Sequence, residues 1–167
     1  MDLAHKKIWQ VAAGDGNRHY VKDCLQNDVI IVGPGGEGPW PECKEQLLLN
    51  GRTAWKMGML RRFFQNVQPG DIIVLRIGTQ KVYGVGQVVG PYLWVDGFAD
   101  VQGWDLQHTR RVRWLWQEVE DPKIFPVYSL KLGSSLQNMD SLPVLAWLNA
   151  LNIPEEAFSR PLSRLPQ

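Results

Sequence analysis

The sequence predicts an α+β domain, a small β-barrel of about five or six short strands flanked by helices. Short apolar runs of strand character are separated by Gly/Pro-rich turns, and only two or three segments have helical spacing. Strands and helices do not alternate along the chain, as they would in a doubly wound fold. The length of 167 residues is that of one domain.

Residues 7–42 are predicted to contain a strand, a short helix, a second strand and a loop. Residues 7–13 are predicted as a strand, and residues 17–26 as a short helix because their apolar residues have helical spacing. Residues 28–32 form an apolar run of the buried-strand kind. Residues 33–42 are too rich in Gly and Pro for a regular element and are predicted as a loop.

Two longer helices follow. Residues 53–67 give the clearest helix, with Thr53 as N-cap and an apolar residue at every fourth position from Trp55 to Val67. Residues 142–151 give the second, because a serine and then a proline suit a helix start.

The remaining strands lie between these helices. Residues 72–78 and 81–90 form two strands joined by a tight connection, and residues 110–117 form another. Residues 91–108 are predicted as an aromatic-containing loop. The last residues, 161–167, have the composition of a linker.

Composition limits the function classes. Hydrophobic residues make up 44%, charged residues 21%, and the net charge is +1, so bulk electrostatics does not indicate a nucleic-acid binder. No apolar run approaches the ~20 residues of a membrane helix, and the N-terminus lacks a signal-peptide core, so we expect a cytoplasmic protein. Cys24 and Cys43 are then expected to be reduced and structural. No metal site or cofactor is expected, because the three histidines are not at ligand spacing.

The turn Gly14-Asp15-Gly16 stands between a strand and a helix, where phosphate-binding loops occur. A dinucleotide fingerprint would need a third glycine at His19, and the Gly-Lys-Ser/Thr of an NTPase loop is absent. Two interpretations remain: a turn that only joins strand to helix, and a ligand site of another kind.

Tryptophan and arginine supply the other candidates. Three of the eight tryptophans, Trp40, Trp94 and Trp104, stand in loop-like contexts where large aromatic side chains usually serve a ligand. Residues 61–62 and 110–113 are local basic clusters, which are either solvated faces or phosphate contacts.

Five segments in order carry a resemblance to a known family. They are 8–16, 29–33, 64–74 (FQNVQPGDIIV), 83–88 (YGVGQV) and 108–115 (HTRRVRWL). Together they resemble the EVE-like domains of the PUA-like superfamily, which are related to the YTH readers of modified bases. The version that stands at the N-terminus of modification-dependent restriction endonucleases is the most similar.

The resemblance implies a reader of modified bases and not a catalyst. Such domains rotate one modified base out of the stack into an aromatic pocket. The expected pocket residues are Asp15, Asn17, Trp40, Tyr92, Trp94 and Trp104. The expected contacts to the nucleic-acid backbone are Arg52, Lys56, Arg61, Arg62, His108, Arg110, Arg111 and Arg113.

The expected partner is double-stranded DNA with a modified base, 5-methylcytosine or 5-hydroxymethylcytosine first and N6-methyladenine second. Residues 1–167 would form a single domain, with a core at 7–130 and a helical extension at 131–155. A nuclease or NTPase module, fused or separate, would act on the bound DNA. The alternatives are a PUA-like reader of modified RNA, or a nucleoside-modifying enzyme that uses Asp15, His19 and His108.

Overall fold

A computed structural model describes the whole chain, residues 1–167. The strands are β1 (Ile8–Ala12), β2 (Val29–Val32), β3 (Ile72–Ile77), β4 (Lys81–Trp94), β5 (His108–Gln117), β6 (Lys123–Ile124) and β7 (Leu136–Asn138). The α-helices are α1 (Val21–Asn27), α2 (Lys44–Leu49), α3 (Ala54–Arg61) and α4 (Leu142–Ala150). A π-helical turn, Arg62–Asn66, continues α3, and 3₁₀ turns lie at Asp96–Phe98 and Glu155–Ser159.

All seven strands belong to one mixed sheet, so the α+β class is confirmed. The strand order is β2-β5-β4-β3-β1-β7, with β6 paired to β4. Only β1 and β3 are parallel, and the other pairs are antiparallel. Because β2 and β7 at the two ends of this order do not pair, the sheet is open, and the expected closed barrel is not observed.

The predicted elements are confirmed where hydrophobic periodicity is strong. The helix predicted at 53–67 is α3 with its π-helical turn, and Thr53 caps it by accepting a hydrogen bond from the backbone of Lys56. The strand predicted at 81–90 continues to Trp94, because after a bulge it pairs again with the start of β5. The short elements α2 and β6 were not predicted.

Apolar side chains fill both faces of the sheet. Along β3, Ile73, Leu75 and Ile77 belong to a core of 29 residues that also includes α1 and α3. Ile72 and Val74 belong to a second core of nine residues, which α4 covers. This alternation follows from the period of two in a strand and explains why β3 is buried along its whole length.

The C-terminal residues contradict the prediction of a linker, since they pack against the domain. Asp28 is 2% exposed, and its carboxylate accepts hydrogen bonds from Nη2 of Arg160 at 3.1 Å and from the backbone N of Ser163 at 2.8 Å. The side chain of Leu165 packs against the larger core. We call residues 160–166 the C-terminal tail.

No helix combines the length and apolar character needed to cross a membrane. Both cysteines are free and buried.

Candidate nucleic-acid interface

A cavity of about 510 Å³ opens beside the ends of β1 and β2. The turn after β1, the loop after β2 and the loop before β5 line three of its sides. Arg52 precedes α3 and Lys56 lies in its first turn, whereas Leu132 and Gly133 come from the segment before β7. Its size is within the range of small-molecule and base pockets, ~300–1,000 Å³.

The turn at Gly14-Asp15-Gly16 is closed by its own hydrogen bonds. Oδ1 of Asp15 accepts from the backbone N of Asn17 and of Arg18, each at 2.8 Å. These two bonds, the one from Arg18 first, lower the pKa of the Asp15 carboxyl. Gly14 has φ +102°, and a Cβ there would lie 2.5 Å from the carbonyl oxygen of Arg18. The turn therefore has a structural role, and it also places Asp15 at the cavity wall.

Trp104 is the one loop tryptophan that lines the cavity. Its ring meets Tyr20 edge to face, with centroids 5.5 Å apart. The guanidinium carbon of Arg18 lies 3.6 Å from the centroid of the Trp104 ring. Trp104 is thus held by a phenol at its edge and by a guanidinium that lies over one face of its ring.

Arg76 is a cavity residue that sequence reasoning missed. It is 3% exposed and lines the cavity near the end of β3. Burial lowers the pKa of its guanidinium from the ordinary value. Nη1 donates to the carbonyl oxygen of Gly78 at 3.1 Å, whereas Nε has no partner. The signal was visible in the sequence, since Arg76 interrupts the otherwise apolar strand IIVLRI.

Three exposed cations lie at or beside the cavity. Arg52 and Lys56 line it, and Arg18 lies over the ring of Trp104 in its wall; we call these three residues the rim cations. Nε of Arg52 lies 3.4 Å from Oε2 of Glu37, while Lys56 forms no ion pair. Of the predicted backbone contacts, Arg52 and Lys56 are therefore at the cavity. Arg61 is exposed on α3 but does not line the cavity.

The other predicted pocket aromatics form a separate cluster. His108 is fully buried, and its Nε2 donates to the carbonyl oxygen of Pro34 at 2.8 Å. Its Nδ1 then accepts from the hydroxyl of Tyr92 at 2.6 Å, and that hydroxyl accepts from the backbone N of Trp40 at 3.1 Å. Trp94 packs edge-on against His108. This network ties the Gly/Pro-rich loop to the sheet.

The hydrogen-bond network gives Trp40, Tyr92 and His108 a structural role. Trp40 is 5% exposed and belongs to the larger core, so the expectation that it contacts a base is wrong for this structure. Tyr92, Trp94 and Asn17 do not line the cavity. Burial lowers the pKa of His108 and raises that of Tyr92 to about 12, so both are neutral near pH 7. With both ring nitrogens bonded, His108 is neither a phosphate contact nor part of an acid/base set with Asp15 and His19.

Arg110 also has a structural role in place of the predicted phosphate contact. It is 2% exposed, and its guanidinium donates to the carbonyl oxygens of Gly90, Phe63 and Val67. Phe63 and Val67 lie at the end of the helical segment, whose last carbonyls have no intrahelical partner. Burial lowers the pKa of Arg110 to about 10.

The three remaining predicted arginines are half-buried and donate to carbonyl oxygens of the protein. Arg111 donates to Ser163 and Arg113 to Arg160, both in the C-terminal tail. Arg62 donates to Leu136 at 3.3 Å. Their half-buried positions follow from long-range packing that the sequence pattern did not reveal.

A family model matches residues 9–139, and its description is a domain of unknown function, DUF8426. The chain belongs to the DUF8426 family. The matched range includes the cavity residues from Ala12 to Ser135 and leaves out α4 and the C-terminal tail. None of the curated proteins matches the chain.

Proposed function

We propose that this DUF8426 protein binds double-stranded DNA that carries a modified base, and that the base rotates out of the duplex into the cavity. The observation that carries the proposal is the cavity itself. It has the volume of a base pocket, an aromatic ring at its wall in Trp104 and three cations at its rim.

The energetics favour a base as occupant. Rotating a base out of a duplex costs a few kcal/mol, and stacking on an aromatic side chain returns ~1–3 kcal/mol. Hydrogen bonds to the base edge supply the remainder. Apart from Arg52 and Lys56, the polar side chains of the lining that offer them are Asp15, Tyr20, Arg76, Asp105 and Ser135. The rim cations face the flanking phosphates, whose contacts position the duplex but carry no sequence information.

The resemblance to EVE-like domains supports the same function. In this proposal the domain is a PUA-like relative, and it directs a restriction nuclease to modified DNA in the cytoplasm. The nuclease or motor would be a fused or separate module. The choice of 5-methylcytosine, 5-hydroxymethylcytosine or N6-methyladenine depends on the groups that meet the base edge.

Fluorescence anisotropy with matched short duplexes tests the proposal. The duplexes carry no modification, 5-methylcytosine, 5-hydroxymethylcytosine or N6-methyladenine, and an N6-methyladenosine RNA is measured beside them at one salt concentration. We expect a preference of about tenfold or more for one modified duplex, equivalent to ~1.4 kcal/mol. Equal and weak binding to every probe would refute the proposal, and a preference for the RNA would assign the pocket to RNA.

A further inference from the structure

Arg76 is unusual because its buried guanidinium has almost no partners inside the protein. Its hydrogen bonds are limited to the one from Nη1 to the carbonyl oxygen of Gly78, and none of the three ion pairs of the chain includes it. An arginine carries five N–H donors and cannot be deprotonated under ordinary conditions. Nε of Arg76 is buried without a partner, and an unsatisfied buried donor on a charged group is costly and needs an explanation.

Arg110 shows what a structural buried arginine looks like in the same molecule. It is as buried as Arg76, yet its guanidinium donates to three different carbonyl oxygens from two segments of the chain. Arg76 also differs in position, since it lines the cavity, whereas Arg110 closes the end of a helical segment. The comparison indicates that the missing acceptors of Arg76 belong to a ligand.

Neighbouring groups do not supply those acceptors. Tyr20 stays a neutral phenol, because burial raises its pKa well above its ordinary range, and its hydroxyl is 3.3 Å from the carbonyl oxygen of Ala12. Asp15 is exposed and its Oδ1 is occupied by the turn. The ladder between β3 and β4 shifts register between Leu75 and Arg76, and such irregularities commonly re-aim a side chain beside a functional site.

We propose that Arg76 recognises the edge of the bound base, and that this base presents two adjacent hydrogen-bond acceptors, as N3 and O2 of cytosine do. This inference rests on the proposed function and names the residue that sets its specificity. The planar fork of an arginine matches two neighbouring acceptors, as in its bidentate contact with O6 and N7 of guanine. Adenine places its amino donor beside each acceptor on its N1 and N7 edges, so one donor of Arg76 would face another donor. The pocket therefore selects a modified cytosine over N6-methyladenine.

The first test uses only the wild-type protein, an unmodified duplex and three modified ones. The modified duplexes carry 5-methylcytosine, its 3-deaza analogue or N6-methyladenine at the same position. We expect binding to the 3-deaza and N6-methyladenine duplexes to be weaker by about tenfold or more, the discrimination of a bidentate contact. A tenfold preference for N6-methyladenine would overturn the inference while the proposed function stands. Equal binding to all three duplexes and to the unmodified one would refute the proposed function itself.

The second test separates the arginine fork from its positive charge. Arg76→Lys keeps the charge and loses the fork, and Arg164→Lys, in the exposed part of the C-terminal tail, is the matched control. We expect Arg76→Lys to lose the preference for 5-methylcytosine and to bind the unmodified duplex within about twofold of the wild type. Arg76→Met should melt no lower than the wild type, because it removes an unpaired buried charge. An unchanged preference in Arg76→Lys would overturn the inference.

Discussion

Trp104 is the aromatic residue on which the proposed pocket depends. Its ring lines the cavity and is held between Tyr20 and Arg18, whereas Trp94 packs on His108 outside the cavity. We expect Trp104→Ala to weaken binding to modified DNA by roughly tenfold or more, since ~1–3 kcal/mol of stacking is lost. Trp94→Ala is the matched control, and its affinity should stay near that of the wild type. Anisotropy titrations measure both, and a larger loss in Trp94→Ala would move the pocket to the other cluster.

His108 makes the stability of the domain depend on pH. Burial lowers the pKa of its imidazole below the ordinary 6.5, so the unfolded chain takes up a proton at a higher pH than the folded protein does. The stability that neutral His108 contributes is therefore complete above pH 6.5 and is lost as the pH falls from 6.5 through the folded-state pKa.

The variant His108→Gln tests this pH dependence. At about pH 8 we expect it to be less stable than the wild type by ~1–3 kcal/mol, because Tyr92 and Pro34 lose a buried partner. The difference should shrink towards about pH 5. The wild type loses the stability that neutral His108 contributes as the pH falls, whereas the variant has no histidine at this position. Urea unfolding at several pH values gives the free energies. A difference that grows as the pH falls would contradict the assigned neutral state.

At the scale of elements, Asp28 couples the start of β2 to the C-terminal tail. Its carboxylate accepts from Arg160 and from both the backbone N and the hydroxyl of Ser163. Its backbone has φ 53°, a left-handed conformation that asparagine also tolerates, so Asp28→Asn removes the charge without new backbone strain.

We expect Asp28→Asn to lower the free energy of unfolding by ~1–3 kcal/mol and to speed amide exchange at residues 160–166. Asp140→Asn is the control, because the Asp140 carboxylate is 76% exposed in its ion pair with Lys131 and contributes little. Equal effects of the two substitutions would show that the tail is not held by Asp28. Hydrogen-exchange mass spectrometry together with chemical unfolding distinguishes these outcomes.

For the whole molecule, the net charge is only +1, but the charged side chains are unevenly distributed. Three cations lie at the rim of the cavity, whereas Lys123 lies over Phe125, a member of the smaller core. We expect Lys56→Ala to weaken binding to modified and unmodified duplexes alike and to reduce the slope of log K against log salt by about one. Lys123→Ala should leave the slope unchanged, and equal slopes in the two variants would remove the rim cations from the interface.

Local patterns determined much of this structure. The apolar runs predicted β1, β2, β3 and β5, and the four-residue spacing predicted α3, because these signals depend only on neighbouring residues along the chain. The same reasoning placed Trp104 in a loop and predicted a structural role for both cysteines, which are buried.

Only the tertiary structure decided which polar side chains are buried and which reach the cavity. Arg110 and Arg111 are adjacent in the sequence, but one donates to carbonyls 43 and 47 residues away and the other to the C-terminal tail. The open sheet, the packing of that tail and the unpaired state of Arg76 likewise depend on partners far apart in the chain. Hydrophobic periodicity predicts which face of a helix or strand is buried. The environment of a charged side chain depends on which distant elements pack against that face.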